Sequence, residues 1–172
     1  MNVILAEDDN LVRDGIRLLL ETHEGFNVIG EAHNGLEAIE LLKKGKKPDV
    51  ILADINMPDM DGIELIKEVK LLDPQIQVVM LSMLDNEKYM IQSFSEGASG
   101  YLLKTVSPDE LIFSLRQVVS GEKYISSDLS FGLLERSAKR PPVIPSEPLN
   151  LHLNSRELEI LKLIGEGLTN SE

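Results

Sequence analysis

Asp49-Val50-Ile51-Leu52-Ala53-Asp54-Ile55-Asn56-Met57-Pro58-Asp59-Met60-Asp61-Gly62 is the stretch from which the fold can be read. The apolar run Val50 to Ala53, bounded on both sides by aspartate, reads as a short strand over 49–54. The residues after Asp54 are turn formers. Beyond them Leu65, Val69 and Leu72 recur at helical spacing. The stretch therefore predicts a strand that ends in a carboxylate, a tight loop and a helix.

The same unit repeats outward in both directions. Strands are predicted at 2–7, 26–32, 76–81 and 100–103. Between them the sets Val12, Ile16, Leu19, Leu20, then Met90, Ile91, Phe94, then Leu111, Leu115, Val118 each give one apolar helical face. Ser107-Pro108-Asp109-Glu110 offers an N-cap, a proline at the first helical position and a capping-box glutamate. Five strands alternating with five helices over residues 1–120 predict an α/β fold, a doubly wound parallel sheet whose ligand site lies at the carboxyl ends of the central strands.

Composition narrows the chemistry. The chain has 172 residues, 29 acidic against 17 basic, a net charge of −12 and no cysteine. That charge opposes docking on a nucleic-acid backbone unless cations are concentrated locally. The lack of cysteine excludes disulfides, thiolate metal sites and cysteine nucleophiles. No apolar run approaches the roughly 20 residues of a membrane span, and the N-terminus runs directly into Glu7-Asp8-Asp9 without the layout of a signal peptide. A cytoplasmic protein without a membrane partner is expected.

After Gly121 the pattern changes. A short helix is predicted over roughly 127–136, followed by a stiff linker with four prolines within residues 141–148. A further helical unit opens at Asn154, a capping residue, with Leu158, Leu161 and Ile164 on one face. Three segments are expected: a domain over 1–121, a helix and linker over 122–150, and an incomplete all-α unit over 151–172.

The predicted strand ends bring Glu7-Asp8-Asp9, Asp54, Ser82 and Lys104 to one edge of the sheet. Carboxylates gathered this closely repel, so a bound cation is the simplest way to keep them ionised. Mg²⁺ takes one or two carboxylates and completes its shell with water and phosphate oxygens. Asp9 and Asp54 fit as direct ligands, with Asp8 acting through water. Aspartate can also accept a phosphoryl group as an acyl phosphate, with Lys104 and Ser82 on the phosphate oxygens. Each residue has a plainer reading: Asp8 or Asp9 as a helix cap, Asp54 to Gly62 as a turn, Ser82 as a cap, Lys104 as a surface lysine.

Asp8-Asp9, Asp54 with Met57-Pro58-x-x-Asp61-Gly62, Ser82 and Gly97-Ala98-x-Gly100-Tyr101-Leu102-Leu103-Lys104 together resemble the receiver domain of two-component response regulators. The resemblance implies a flavodoxin-like sheet of order 2-1-3-4-5. It also implies phosphorylation of Asp54 by a sensor histidine kinase, and Mg²⁺ held by Asp8, Asp9, Asp54 and the Asn56 backbone carbonyl. Lys104 and Ser82 would contact the phosphate, and Ser82 and Tyr101 would form a switch pair. Leu153-Asn154-Ser155-Arg156-Glu157 through Glu172 is similar to the start of a LuxR-type helix-turn-helix, as in the NarL/FixJ-type subgroup. This implies a transcription regulator that dimerises when phosphorylated. Its DNA contacts would need the complete C-terminal domain and not this segment alone. Beyond self-phosphorylation and slow loss of the phosphate, no enzyme activity is expected.

Two positions depart from the common receiver pattern. Thr105 follows Lys104 where proline is frequent, and a cis bond there would cost about 2.5–4 kcal/mol, which favours a trans loop. Met83 follows Ser82 where a small residue is frequent, and its bulk is expected to gate access to the acyl phosphate. A stand-alone receiver acting as an adaptor is a second reading. An aspartate-nucleophile phosphohydrolase is a third, and it lacks a proton-transferring group at Asn56.

Overall fold

The computed structural model describes residues 1–83 and 86–139, with side chains in the last helix described to Arg136. The predicted linker and the unit over 151–172 lie outside the described residues. The elements are β1 (Asn2–Ala6), α1 (Asn10–Glu21), β2 (Asn27–Ala32), α2 (Gly35–Lys43), β3 (Val50–Asp54), α3 (Gly62–Leu72), β4 (Gln77–Ser82), α4 (Glu87–Ser95), β5 (Gly100–Leu103), α5 (Pro108–Val119), β6 (Tyr124–Ile125) and α6 (Ser127–Lys139). The sheet order is β2-β1-β3-β4-β5-β6, and every strand pair is parallel.

Strand alternation divides the core between two layers. Ile4, Ile51, Val78 and Tyr101 face one way, with Ile39 of α2, Leu65 and Val69 of α3 and Met90 of α4. Val3, Leu5, Leu52, Val79 and Leu102 face the other, against Leu20 of α1 and Leu111, Leu115 and Val118 of α5. Every residue of β3 is buried, as a central parallel strand covered on both sides requires.

The expected order 2-1-3-4-5 holds for the first five strands, and β6 adds a sixth at the edge. It pairs Gly100 with Tyr124 and Tyr101 with Ile125. Two residues are too short to show a hydrophobic period, which is why periodicity predicts only five strands. Glu110 of α5 secures this extension, accepting from Tyr124 Oη at 3.2 Å and from the Ser127 N–H at 3.0 Å.

The loop after β3 closes because of one glycine. A Cβ on Gly62 would stand 2.3 Å from the carbonyl oxygen of Asp54, so no other residue lets α3 start this close to the strand end. Asp61 caps α3 in a capping box with Glu64. Asp59, with φ 64°, is held by the Asn34 side chain at 3.2 Å. The turn-forming acids beyond Asp54 thus serve the backbone.

Candidate phosphoacceptor site

Parallel strands in register carry Asp54, Glu7 and Ser82 to the same edge: Ala6 lies beside Ala53, Asp54 beside Leu81 and Ser82 beside Leu103. Lys104 follows β5 directly, and its N–H donates to the Ser82 carbonyl at 2.8 Å, which continues the ladder by one residue and fixes the Lys104 backbone at the edge. No peptide bond among the described residues is cis, so Thr105 follows in the trans form expected.

Asp54 is 6% exposed. Its Oδ1 accepts the Ile55 N–H at 2.7 Å and its Oδ2 accepts from Lys104 Nζ at 2.9 Å. The same ammonium donates to Glu7 Oε1 at 2.9 Å. Glu7 Oε2, 2.7 Å from Nζ as an ion pair, is buried and lacks hydrogen-bond geometry. Carboxylate oxygens of Glu7, Asp8 and Asp54 can lie within 4.8 Å of one another. Three carboxylates against one ammonium leave an excess of negative charge.

The titration of these groups reflects that crowding. Burial pushes the Glu7 carboxyl above its ordinary range, and the Asp54 charge adds to the rise against the opposing pull of Lys104. Burial would lower the Lys104 ammonium, but its hydrogen bonds and charge contacts with Glu7 and Asp54 outweigh this and raise it. Lys104 stays protonated.

The sequence-predicted residues are placed unequally. Asp8, Asp54 and Lys104 converge. Asp9 instead caps α1, its Oδ1 accepting the N–H of Leu11 at 2.8 Å and of Val12 at 3.2 Å. Glu7, which is absent from the predicted ligands, occupies the inner position. Asn56 is exposed in the loop two residues past Asp54. Ser82 is buried at the end of β4, and Met83, 68% exposed, stands beside it. The Tyr101 ring is fully buried in the layer beneath β4 and β5, at the register position of Met80.

The donor set fits a hard divalent cation: oxygen ligands only, and three carboxylates in excess of the one ammonium among them. Such a site can hold Mg²⁺ and receive a phosphoryl group on Asp54.

Comparison with known proteins agrees. Residues 3–116 match the family model of the response regulator receiver domain. The chain is 35% identical over 172 residues to the uncharacterized transcriptional regulatory protein YxjL of Bacillus subtilis, covering 100% of this chain and 78% of that protein. It is 34% identical over 168 residues to the nitrate/nitrite response regulator NarL of Escherichia coli, covering 98% and 76%. A structure of two RcsB dimers bound to two parallel DNAs aligns with TM-score 0.72 and 32% identity, covering 100% of this chain and 80% of that one. Site, sheet and relatives lead to one conclusion: this chain belongs to the response regulator receiver family, among the LuxR/NarL-type regulators of transcription.

Proposed function

We propose that Asp54 accepts a phosphoryl group from a phosphohistidine of a sensor kinase, and that this modification controls the output of a C-terminal DNA-binding domain. The observation that carries the reading is the single ammonium of Lys104 bridging Asp54 and Glu7 in a buried, carboxylate-rich strand edge. In the transfer an Asp54 carboxylate oxygen forms the new P–O bond, the P–N bond to the donor imidazole breaks, and the imidazole leaves with the electron pair. Lys104 keeps its proton and offers it as a hydrogen bond to a phosphoryl oxygen, and the Ser82 hydroxyl contacts another.

Glu7, Asp8 and Asp54 would hold Mg²⁺, with the Asn56 carbonyl completing the protein ligands and Asp9 left to cap α1. When bound, the ion neutralises charge on the transferring group. Ser82 and Tyr101 act as the switch pair, and Met83 shields the acyl phosphate; Met83→Ala is expected to lose its phosphate faster. An apolar groove between α1 and α5, lined by Leu11, Ile16, Val106 and Leu111, opens beside Lys104 and supports approach of a protein donor.

We read 1–121 as the receiver, 122–150 as helix and linker, and 151–172 as the opening of a helix-turn-helix. Phosphorylation would favour a homodimer, a reading supported by the RcsB dimers on DNA, and action on DNA assigns the protein to the cytoplasm. Among the described residues no helix is long and apolar enough to cross a membrane.

The test is intact mass after incubation with Mg²⁺ and acetyl phosphate, beside Asp54→Asn. A gain of one phosphoryl group, about 80 Da, that needs Mg²⁺ and is absent from the variant is expected. No adduct on folded wild-type protein would overturn the reading.

A further inference from the structure

Arg13, in the first turn of α1, is 7% exposed. An arginine buried this far must be accounted for by what its guanidinium touches. All three nitrogens are engaged. Nε donates to Glu31 Oε2 at 3.3 Å, and Nη2 donates to the Asn10 side-chain oxygen. Nη1 donates to the backbone carbonyl of Glu7 at 2.7 Å and lies 3.1 Å from His33 Nδ1.

The Glu7 carbonyl is the informative partner, because it belongs to the peptide that joins Glu7 to Asp8. The N–H of Glu7 donates to the Ala32 carbonyl at 3.0 Å. Both peptide groups flanking Glu7 are therefore fixed, one to the end of β2 and one to Arg13. Asn10, tied to the same guanidinium, closes the loop between β1 and α1. Glu31 then anchors the assembly to β2.

We infer that Arg13 is a positioning residue for the cation site, holding the loop so that the carboxylates of Glu7 and Asp8 face Asp54. The inference rests on the assignment of those three residues to Mg²⁺. A planar fork serves several acceptors in fixed directions, whereas lysine offers one point charge, so Arg13→Lys cannot reproduce the arrangement. A residue that only stabilised the fold would change the melting temperature and leave metal affinity alone. One that orients ligands changes affinity by about 10–100-fold.

The experiment measures the Mg²⁺ dissociation constant by titration calorimetry, the metal-free melting temperature, and the acetyl phosphate reaction rate at saturating Mg²⁺. The proteins are wild type, Arg13→Lys, Arg13→Met and Arg17→Met. Both Arg13 variants are expected to bind Mg²⁺ about 10–100-fold more weakly and to recover most of the reaction rate when saturated. Arg17→Met, which removes the half-buried arginine that also pairs with Glu31, is expected to bind like wild type. Folded Arg13→Lys and Arg13→Met with wild-type affinity would overturn the inference. If Arg13→Met does not fold, Arg13→Lys decides. Wild-type protein that binds no Mg²⁺ would instead overturn the underlying metal assignment, a result distinct from unchanged variants.

Discussion

The two ends of the sheet are built from similar polar residues and behave differently. At the amino ends polar groups pair locally. Asp49 accepts the Asn2 N–H at 2.6 Å, Ser99 donates to the Gln77 side chain, and Lys70 Nζ donates to the Ile76 carbonyl at 2.7 Å. At the carboxyl ends Glu7 and Asp54 share Lys104, and the Asp8 carboxylate lies beside them without a cation of its own among the described residues. Satisfied polar groups hold a fold together, whereas crowded carboxylates repel and would be stabilised by a cation.

Removing the shared cation should break this contrast most sharply. Lys104→Met is expected to slow phosphorylation by acetyl phosphate by about 10²–10³-fold, the usual loss for a donor aimed at developing charge; a rate near wild type would separate the lysine from the chemistry.

Next in size is the pH dependence of the metal-free protein. Glu7 titrates above its ordinary value when folded, so the folded state holds its proton more tightly than the unfolded one. Its contribution to stability is fully present below the unfolded value of about 4.5 and is lost as pH rises through the folded value. Melting curves of Glu7→Gln should fall less over that window than those of wild type, and parallel curves would argue against crowding at this carboxylate.

The smallest effect belongs to the other end. Ser99→Ala removes one side-chain hydrogen bond and should cost about 1 kcal/mol in urea denaturation while leaving phosphorylation unchanged. A slowed phosphotransfer in that variant would mean that the two ends are coupled.

The first five strands were legible in the sequence because each is a short apolar run bounded by turn residues, and their observed boundaries fall within one residue of those predicted. The meeting of Asp54 and Lys104 was legible for the same reason, since strand ends in a parallel sheet share an edge. The acidic triplet was harder. Glu7, Asp8 and Asp9 are consecutive, and only the start of α1 decides which of them faces the site. The helix α1 begins at Asn10, which makes Asp9 the cap and leaves Glu7 and Asp8 to face Asp54; a shift of one residue, within the ordinary scatter of helix ends, would change that choice. Arg13 escaped notice because its partners, a loop carbonyl and residues of β2, are distant in sequence and have no periodic signature.

The bridge made by Lys104 also bears on how the chain matures. Its partners lie 97 and 50 residues back along the chain, so closing these contacts requires the docking of β5 beside β4, with the loop-closure entropy that such separations cost. A nascent or partly unfolded copy lacks the ammonium over the acceptor even if β1 and β3 have already paired. On the proposed function, competence to take a phosphoryl group is in this way tied to completion of folding.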